Sequence, residues 1–260
     1  MRMTIRFVAG LAVPFAIACG GGGKPQPTAP TPPTTPVADA RTESIATSQG
    51  ALEIRPIYHA TVLFTFAGKH LYLDPWSKGD FTNLPKADAI FITDIHPDHL
   101  DADAIAKLRT PQTILVAPPA VAEKLQGVSV VLKNGDAQDV LGVHVEAIPM
   151  YNLQRGPEPG KLFHDKGRGD GFVFTFGDKR VYVSGDTECT DEMKALKNID
   201  VAFVCMNLPY TMPPSEAATC INAFKPKVLY PYHYRDSNLD ELSTAIDKSA
   251  GIDVRIRNWY

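Results

Sequence analysis

Cysteine is scarce in this chain, with four in 260 residues and no pair at CxxC spacing. Basic charge is not concentrated either. Lys and Arg number 26 against 29 Asp and Glu, net −3, with no dominant Lys/Arg block; nucleic acid, which needs clustered cations, is therefore not expected as a partner. The apolar run at the N-terminus, Phe7 to Ala18, is about a dozen residues, too few to span a bilayer as a mature helix. No internal repeat at a solenoid period is visible. What remains is a chain with 44% hydrophobic residues, an ordinary fraction for a globular core.

The proline content is unevenly spread. Six of the 22 prolines fall between Pro25 and Pro36. Before them, Arg2 and Arg6 precede the apolar run, and Ala16-Ile17-Ala18 leads into Cys19-Gly20. This order matches the n-region, h-region and small-residue site of a secretory signal, and it resembles a bacterial lipoprotein signal whose cysteine becomes the lipidated N-terminus. The sequence therefore divides into a signal peptide at 1–18, a lipidated Cys19 with a Gly/Pro/Thr-rich tether at 19–45, and a folded domain at 46–260. Gly repeats and Pro-rich segments make a spacer with no core of its own. The expected location is the cell envelope, facing the periplasm or exterior, with the lipid anchor as the membrane partner. Setting Cys19 aside leaves Cys189, Cys205 and Cys220, so at most one disulfide forms; Cys205 sits in an apolar run and reads as a small buried hydrophobe.

From about residue 50 the pattern becomes short strands and helices. Strands are expected at 51–57, 61–66, 70–73, 89–92, 113–116, 128–132, 143–148, 172–176, 180–183, 201–206, 228–230 and 253–257. Helices are expected at 101–108, capped by Asp101, and at 119–125, 190–196, 213–224 and 239–248. Meandering strands followed by β/α units, twice, imply two sheets with helices outside, a layered α/β domain.

Chemistry-bearing residues gather at strand ends. Asp94, His96, Asp98 and His99 fall within six residues between an apolar strand and a helix. In isolation such a run also suits a solvated helix start. Asp186, preceded by Gly185, follows a second strand, and His233 a third. Mixed imidazoles and carboxylates converging on one sheet edge suit a divalent metal.

These residues resemble the metallo-β-lactamase fold hydrolases, whose hallmark is His-x-His-x-Asp-His; here it reads Asp94-x-His96-x-Asp98-His99. The likeness is closer to the branch of ascorbate-6-phosphate lactonase-like and N-acylphosphatidylethanolamine phospholipase D-like enzymes. Tyr58-His59-Ala60, Leu73 to Trp76, Ile148 to Asn152, Phe163 to Gly167, Ser184 to Glu188, Tyr210 to Met212 and Pro231 to Tyr234 look like its successive blocks, spanning about residues 50–235. The resemblance implies a single-domain αββα four-layer sandwich with one or two divalent ions on its edge, zinc first, manganese or iron as alternatives.

Carried over by position, His96 with Asp94 holds the first metal, Asp98, His99 and His233 the second, and Asp186 bridges. The place of a further histidine on the first metal is taken by Asn152, and His164 is the candidate to serve instead. Asp74 and His59 are read as groups that orient ligands by hydrogen bonds. Asp98 also orients the attacking water or accepts its proton. Tyr151, Tyr232 and Tyr234 are candidate donors to a developing oxyanion, with aromatic packing as the alternative for each. The function implied is a membrane-tethered hydrolase that turns a metal-activated water on a lactone, amide or phosphodiester of a small-molecule or lipid substrate. The competing reading, motivated by Asp94 and Asn152, is a non-catalytic metal- or ligand-binding lipoprotein that keeps the fold.

Overall fold

The computed structural model describes residues 41–260; the signal, Cys19 and most of the tether lie outside these residues. Among these described residues, mostly alternating or apolar runs build fourteen strands in two sheets of seven. The first holds β1 Glu43–Thr47, β2 Gly50–Tyr58, β3 Thr61–Phe66, β4 Lys69–Leu73, β5 Ala89–Phe91, β6 Ile114–Ala117 and β7 Val130–Val131. The second holds β8 Ala137–Val140, β9 Val143–Met150, β10 Gly169–Phe176, β11 Lys179–Val183, β12 Val201–Cys205, β13 Val228–Tyr232 and β14 Asp253–Val254.

Each sheet runs in chain order, four antiparallel strands followed by three more in parallel pairing. The two halves therefore repeat one topology that leaves no periodic trace in the sequence. Parallel neighbours need crossovers. Helices α1 Ala102–Leu108 and α2 Pro119–Ala122 belong to the first half, and α3 Asp191–Lys194, α4 Pro214–Phe224 and α5 Leu239–Ala245 to the second.

Between the sheets, Phe64, Phe91, Phe172, Phe174 and Phe203 are almost wholly buried in one core. A second core lies on the outer face of the first sheet, where Ile105, Leu108 and Val121 of the helices meet Tyr72, Ile90 and Leu115. This is the αββα sandwich that the family resemblance implies.

The parallel pairing places the C-terminal ends of β4, β5, β11 and β13 along one edge, where open α/β sheets collect their functional loops. Gly185 makes the approach behind Asp186 possible. Its φ is +60°, and an added Cβ would lie 2.4 Å from Met150 Sδ, so only glycine fits.

Some boundaries differ from expectation. Strand β1 begins at Glu43, inside the stretch expected as tether, because Glu43 accepts hydrogen bonds from Arg255, Arg257 and Tyr230 across the fold. Strand β8 is polar and mostly exposed, so its pattern carries little signal. Helix α5 stops at Ala245, and Asp247 instead caps a short 3-10 turn at Lys248–Ala250. Cys189 and Cys220 form a disulfide that ties the start of α3 to α4, while Cys205 is free and buried.

Candidate metal centre

The β5–α1 connection is a tight turn. The His96 carbonyl accepts from the amides of His99 and Leu100 at 3.0 and 2.8 Å. Asp101 then caps α1, accepting from Asp103 and Ala104 at 3.0 Å each. The turn folds Asp94, His96, Asp98 and His99 towards Asp186 and His233, and every expected ligand falls within one cluster.

His99 is wholly buried. Its Nδ1 donates to Asp74 Oδ2 at 2.8 Å, and Asp74 is fixed in turn by the amide and hydroxyl of Thr93. Hence Nε2 is left facing Asp186 Oδ2 at 3.4 Å. His164 is arranged the same way by a different residue. Its Nδ1 donates to Asn152 Oδ1 at 2.6 Å, while Asn152 Nδ2 donates to Glu188 Oε1 and the Tyr210 carbonyl; Nε2 faces Asp186 Oδ2, again at 3.4 Å. His233 Nε2 lies 3.4 Å from both Asp186 Oδ1 and Asp98 Oδ2.

The Asp186 carboxylate thus stands between three imidazole nitrogens. Those nitrogens and Asp186 Oδ1 are buried and make no hydrogen bond. Buried polar atoms are seldom left so. Donors placed about 2.0–2.1 Å from a tetrahedral ion lie about 3.3–3.4 Å from one another, the spacing found here. The residues fit a divalent cation at His99, Asp186 and His233, with a second position at Asp94, His96 and His164, and Asp98 groups with His233 and His59 beside the first.

The electrostatics agree. Burial opposes the charge on Asp186, but the neighbouring His233 and His99 outweigh it and hold the carboxyl well below its usual range. Burial likewise opposes a charged His99, yet Asp186 and Asp74 raise it well above the ordinary imidazole value. A cation at this place would neutralise the same carboxylates.

Asp94 occupies a special place. Arg168 donates to both its oxygens, Nε to Oδ1 and a terminal nitrogen to Oδ2, at 3.0 Å each. Oδ2 also lies 2.9 Å from His96 Nδ1 and 3.8 Å from His164 Nε2. Burial pushes the Asp94 carboxyl up, but the hydrogen bond with His96 and the charges of His164, His96 and Arg168 bring it below the carboxylate range.

His59 is buried and takes a left-handed backbone, φ +55°. Burial, helped by His233, lowers it to about 4, so it is neutral, and its partners define the tautomer. Nε2 donates to Asp98 Oδ2 at 3.1 Å, and Nδ1 accepts from the Tyr260 hydroxyl at 2.9 Å. The Tyr260 oxygen accepts the Arg235 amide at 2.8 Å. The last residue of the sequence therefore helps aim Asp98.

A cavity of about 470 Å³ opens over His96, Asp98, Asp186 and His233. Two of the tyrosines considered as donors are otherwise engaged, Tyr151 donating to Glu192 and Tyr234 to the Arg257 carbonyl; Tyr232 is fully buried, its hydroxyl without a hydrogen-bond partner among the described residues and away from the cavity lining. The roles of Arg168, Thr93, Glu188 and Tyr260 were not anticipated, although Glu188 ends one of the recognised blocks. Arg168 follows Gly167 immediately after the recognised block ending there, and that adjacency was its only signal.

The family described as the Beta-lactamase superfamily domain matches residues 53–233. The chain belongs to the metallo-β-lactamase superfamily. A UPF0173 metal-dependent hydrolase of Geobacillus is 30% identical over 192 residues, covering 68% of this chain and 82% of that protein. One from Pyrococcus abyssi is 28% identical over 196 residues, covering 70% and 84%. The crystal structure of a proposed metal-dependent hydrolase from Parabacteroides distasonis aligns with TM-score 0.78 and 42% identity, covering 83% of this chain and 97% of that one. This protein is a metal-dependent hydrolase of that superfamily.

Proposed function

We propose that this hydrolase is tethered to a membrane surface of the cell envelope through Cys19 and opens a lactone, amide or phosphodiester bond in a small-molecule or lipid substrate. The observation that supports its chemistry best is the Asp186 carboxylate, 3.4 Å from His99, His164 and His233. Asp98, His99, Asp186 and His233 would hold one divalent ion, and Asp94, His96 and His164 a second, with Asp186 standing between the two groups; zinc is the first expectation, and manganese or iron is favoured to the extent that Asp94 serves as a donor. When bound, such an ion supplies Lewis acidity and an activated water.

The chain's own groups do the rest. Of the two roles open to Asp98, which is partly exposed to the cavity and held by His59, orienting the nucleophile suits it better than accepting its proton, because a carboxyl held below its usual range is a weak base. Opposing burial, the hydrogen bonds with His233 and His59 keep Asp98 ionised below the usual carboxylate range. Asp74 and Asn152 each hold one imidazole with its Nε2 forward. Asn152 is thus a supporting residue for His164, which removes one of the two grounds for a purely binding role.

The tether rests on the sequence pattern. The Cys189–Cys220 disulfide is compatible with an oxidising compartment, and among the described residues no helix is long and apolar enough to cross a membrane. Cys19→Ser is expected to shift the protein from the membrane to the soluble fraction with the fold intact; unchanged membrane association counts against lipidation. Turnover of lactone, acyl-amide and phosphodiester panels by the metal-loaded protein identifies the bond, and inertness towards all three overturns the substrate assignment.

A further inference from the structure

Two cations stand at the mouth of the cavity without a strong acid partner. Lys78 Nζ lies 4.4 Å from the centre of the Trp76 ring, and among the described residues no carboxylate pairs with it. Arg235 is half exposed and its guanidinium comes only to 4.0 Å of Asp98 Oδ2. Both line the 470 Å³ cavity over the candidate ligands, and with Trp76 they also line a neighbouring hollow of about 320 Å³. The two cations therefore mark the boundary between the spaces. Asp236 lines that second hollow, whereas the carboxylates of the first, Asp98 and Asp186, are ones a bound cation would neutralise, so a negative ligand group is favoured on the first side.

The backbones under these cations are pinned. The Ser77 amide donates to Asp101 Oδ2 at 2.9 Å and the Trp76 amide to Thr61 Oγ1 at 3.2 Å. Arg235 is held at φ +42° with its amide on the Tyr260 hydroxyl. Across the cavity, Phe163 and Tyr210 pack edge to face, with ring centres 5.0 Å apart, and with Trp76 they give the cavity an apolar wall. An apolar body against aromatics with a few convergent charges is the usual build of a small-molecule site.

We infer that Lys78 and Arg235 form an anion subsite, so that the substrate is a small molecule with an apolar body and one carboxylate or phosphate group near the bond to be broken. The closeness of Arg235 to Asp98 sets that group a short distance from the reacting centre. This rests on the proposed hydrolytic site but concerns only what it selects.

The test is calorimetric binding to the zinc-loaded full chain of three probes: 4-phenylbutyrate, benzylphosphonate and the neutral 4-phenylbutyramide. At least one anion is expected to bind ten times more tightly than the amide, since a charge-assisted contact is worth about tenfold or more. Lys78→Met and Arg235→Met should each remove about tenfold of that preference and leave amide binding within about twofold, while Lys78→Arg should retain it. The tighter of the two anions identifies carboxylate or phosphate as the natural group. Equal affinity for the amide and both anions, or anion binding untouched by either substitution to Met, overturns the subsite. Loss of selectivity with turnover of the lactone, acyl-amide and phosphodiester panels intact overturns this inference alone; selectivity without turnover overturns only the hydrolytic assignment.

Discussion

Asp74 accepts the Nδ1 hydrogen of His99 at 2.8 Å, with both residues wholly buried. The bond fixes the ring so that its other nitrogen faces Asp186. Partners of this kind typically contribute about 10–100-fold to metal affinity. Asp74→Asn is expected to weaken zinc binding by about that factor, measured by competition with a chromophoric chelator. Unchanged affinity would show that His99 is oriented by its packing alone.

Arg168 and Asp94 form a two-point clamp in a buried setting. Removing one partner of a buried ion pair costs about 3 kcal/mol or more, because the other charge is left uncompensated. Arg168→Met should therefore destabilise the metal-free protein by about 3 kcal/mol in urea unfolding. The loss should shrink when metal is added, since a cation beside Asp94 replaces the guanidinium charge. An equal loss with and without metal would remove Asp94 from the ligand set.

Asp170 is buried beside Asn134. Burial, with the Asp136 charge adding to it and the Asn134 hydrogen bond opposing, pushes its carboxyl up from 3.8 to about 7. An acid whose folded value is raised binds more protons folded than unfolded between those limits. Its contribution to stability is therefore whole below pH 3.8 and is lost as the pH rises to about 7. Asp170→Asn should flatten this part of the stability profile and make the variant relatively more stable at pH 8. Parallel profiles for the two proteins from pH 4 to 8 would refute the shift.

The Cys189–Cys220 bond closes a segment with a sequence separation of 31. Chain-entropy arguments give about 3–4 kcal/mol for a loop of that size. The double variant Cys189→Ala and Cys220→Ala should lose about that much in chemical unfolding, and reductant should do the same to the wild type. No effect from either would mean that the bond does not constrain the unfolded chain.

How much was legible in the sequence follows from what each residue depends on. Asp94 to His99, Asp186 and His233 were readable because they directly follow apolar strands, and the end of a strand fixes which sheet edge its next residue meets. Two sheets with helices outside were readable for the same reason, since strand runs such as Val201–Cys205 are buried throughout; the four-layer order came from the family resemblance. Glu43 and Tyr260 were not. Their partners lie 187 and 201 residues away, at Tyr230 and His59, and no local pattern records a contact made only after both sheets have closed. Arg168 belongs with these, 74 residues from Asp94. His164 and Asn152 fall between. The sequence offered them as alternatives for one position, and the fold places them together, the asparagine holding the histidine that faces Asp186.

The central claim is that Asp186 stands at a metal centre built from separate strand ends. It is tested most directly by elemental analysis of bound divalent metal after zinc or manganese reconstitution and dialysis, comparing the wild type with Asp186→Ala and using near-UV circular dichroism to confirm that both are folded. The account predicts one or two ions per chain in the wild type, on the order expected for one- and two-ion hydrolytic sites, and a substoichiometric amount in Asp186→Ala. Less than one ion per wild-type chain, or equal retention by a folded Asp186→Ala, would contradict it.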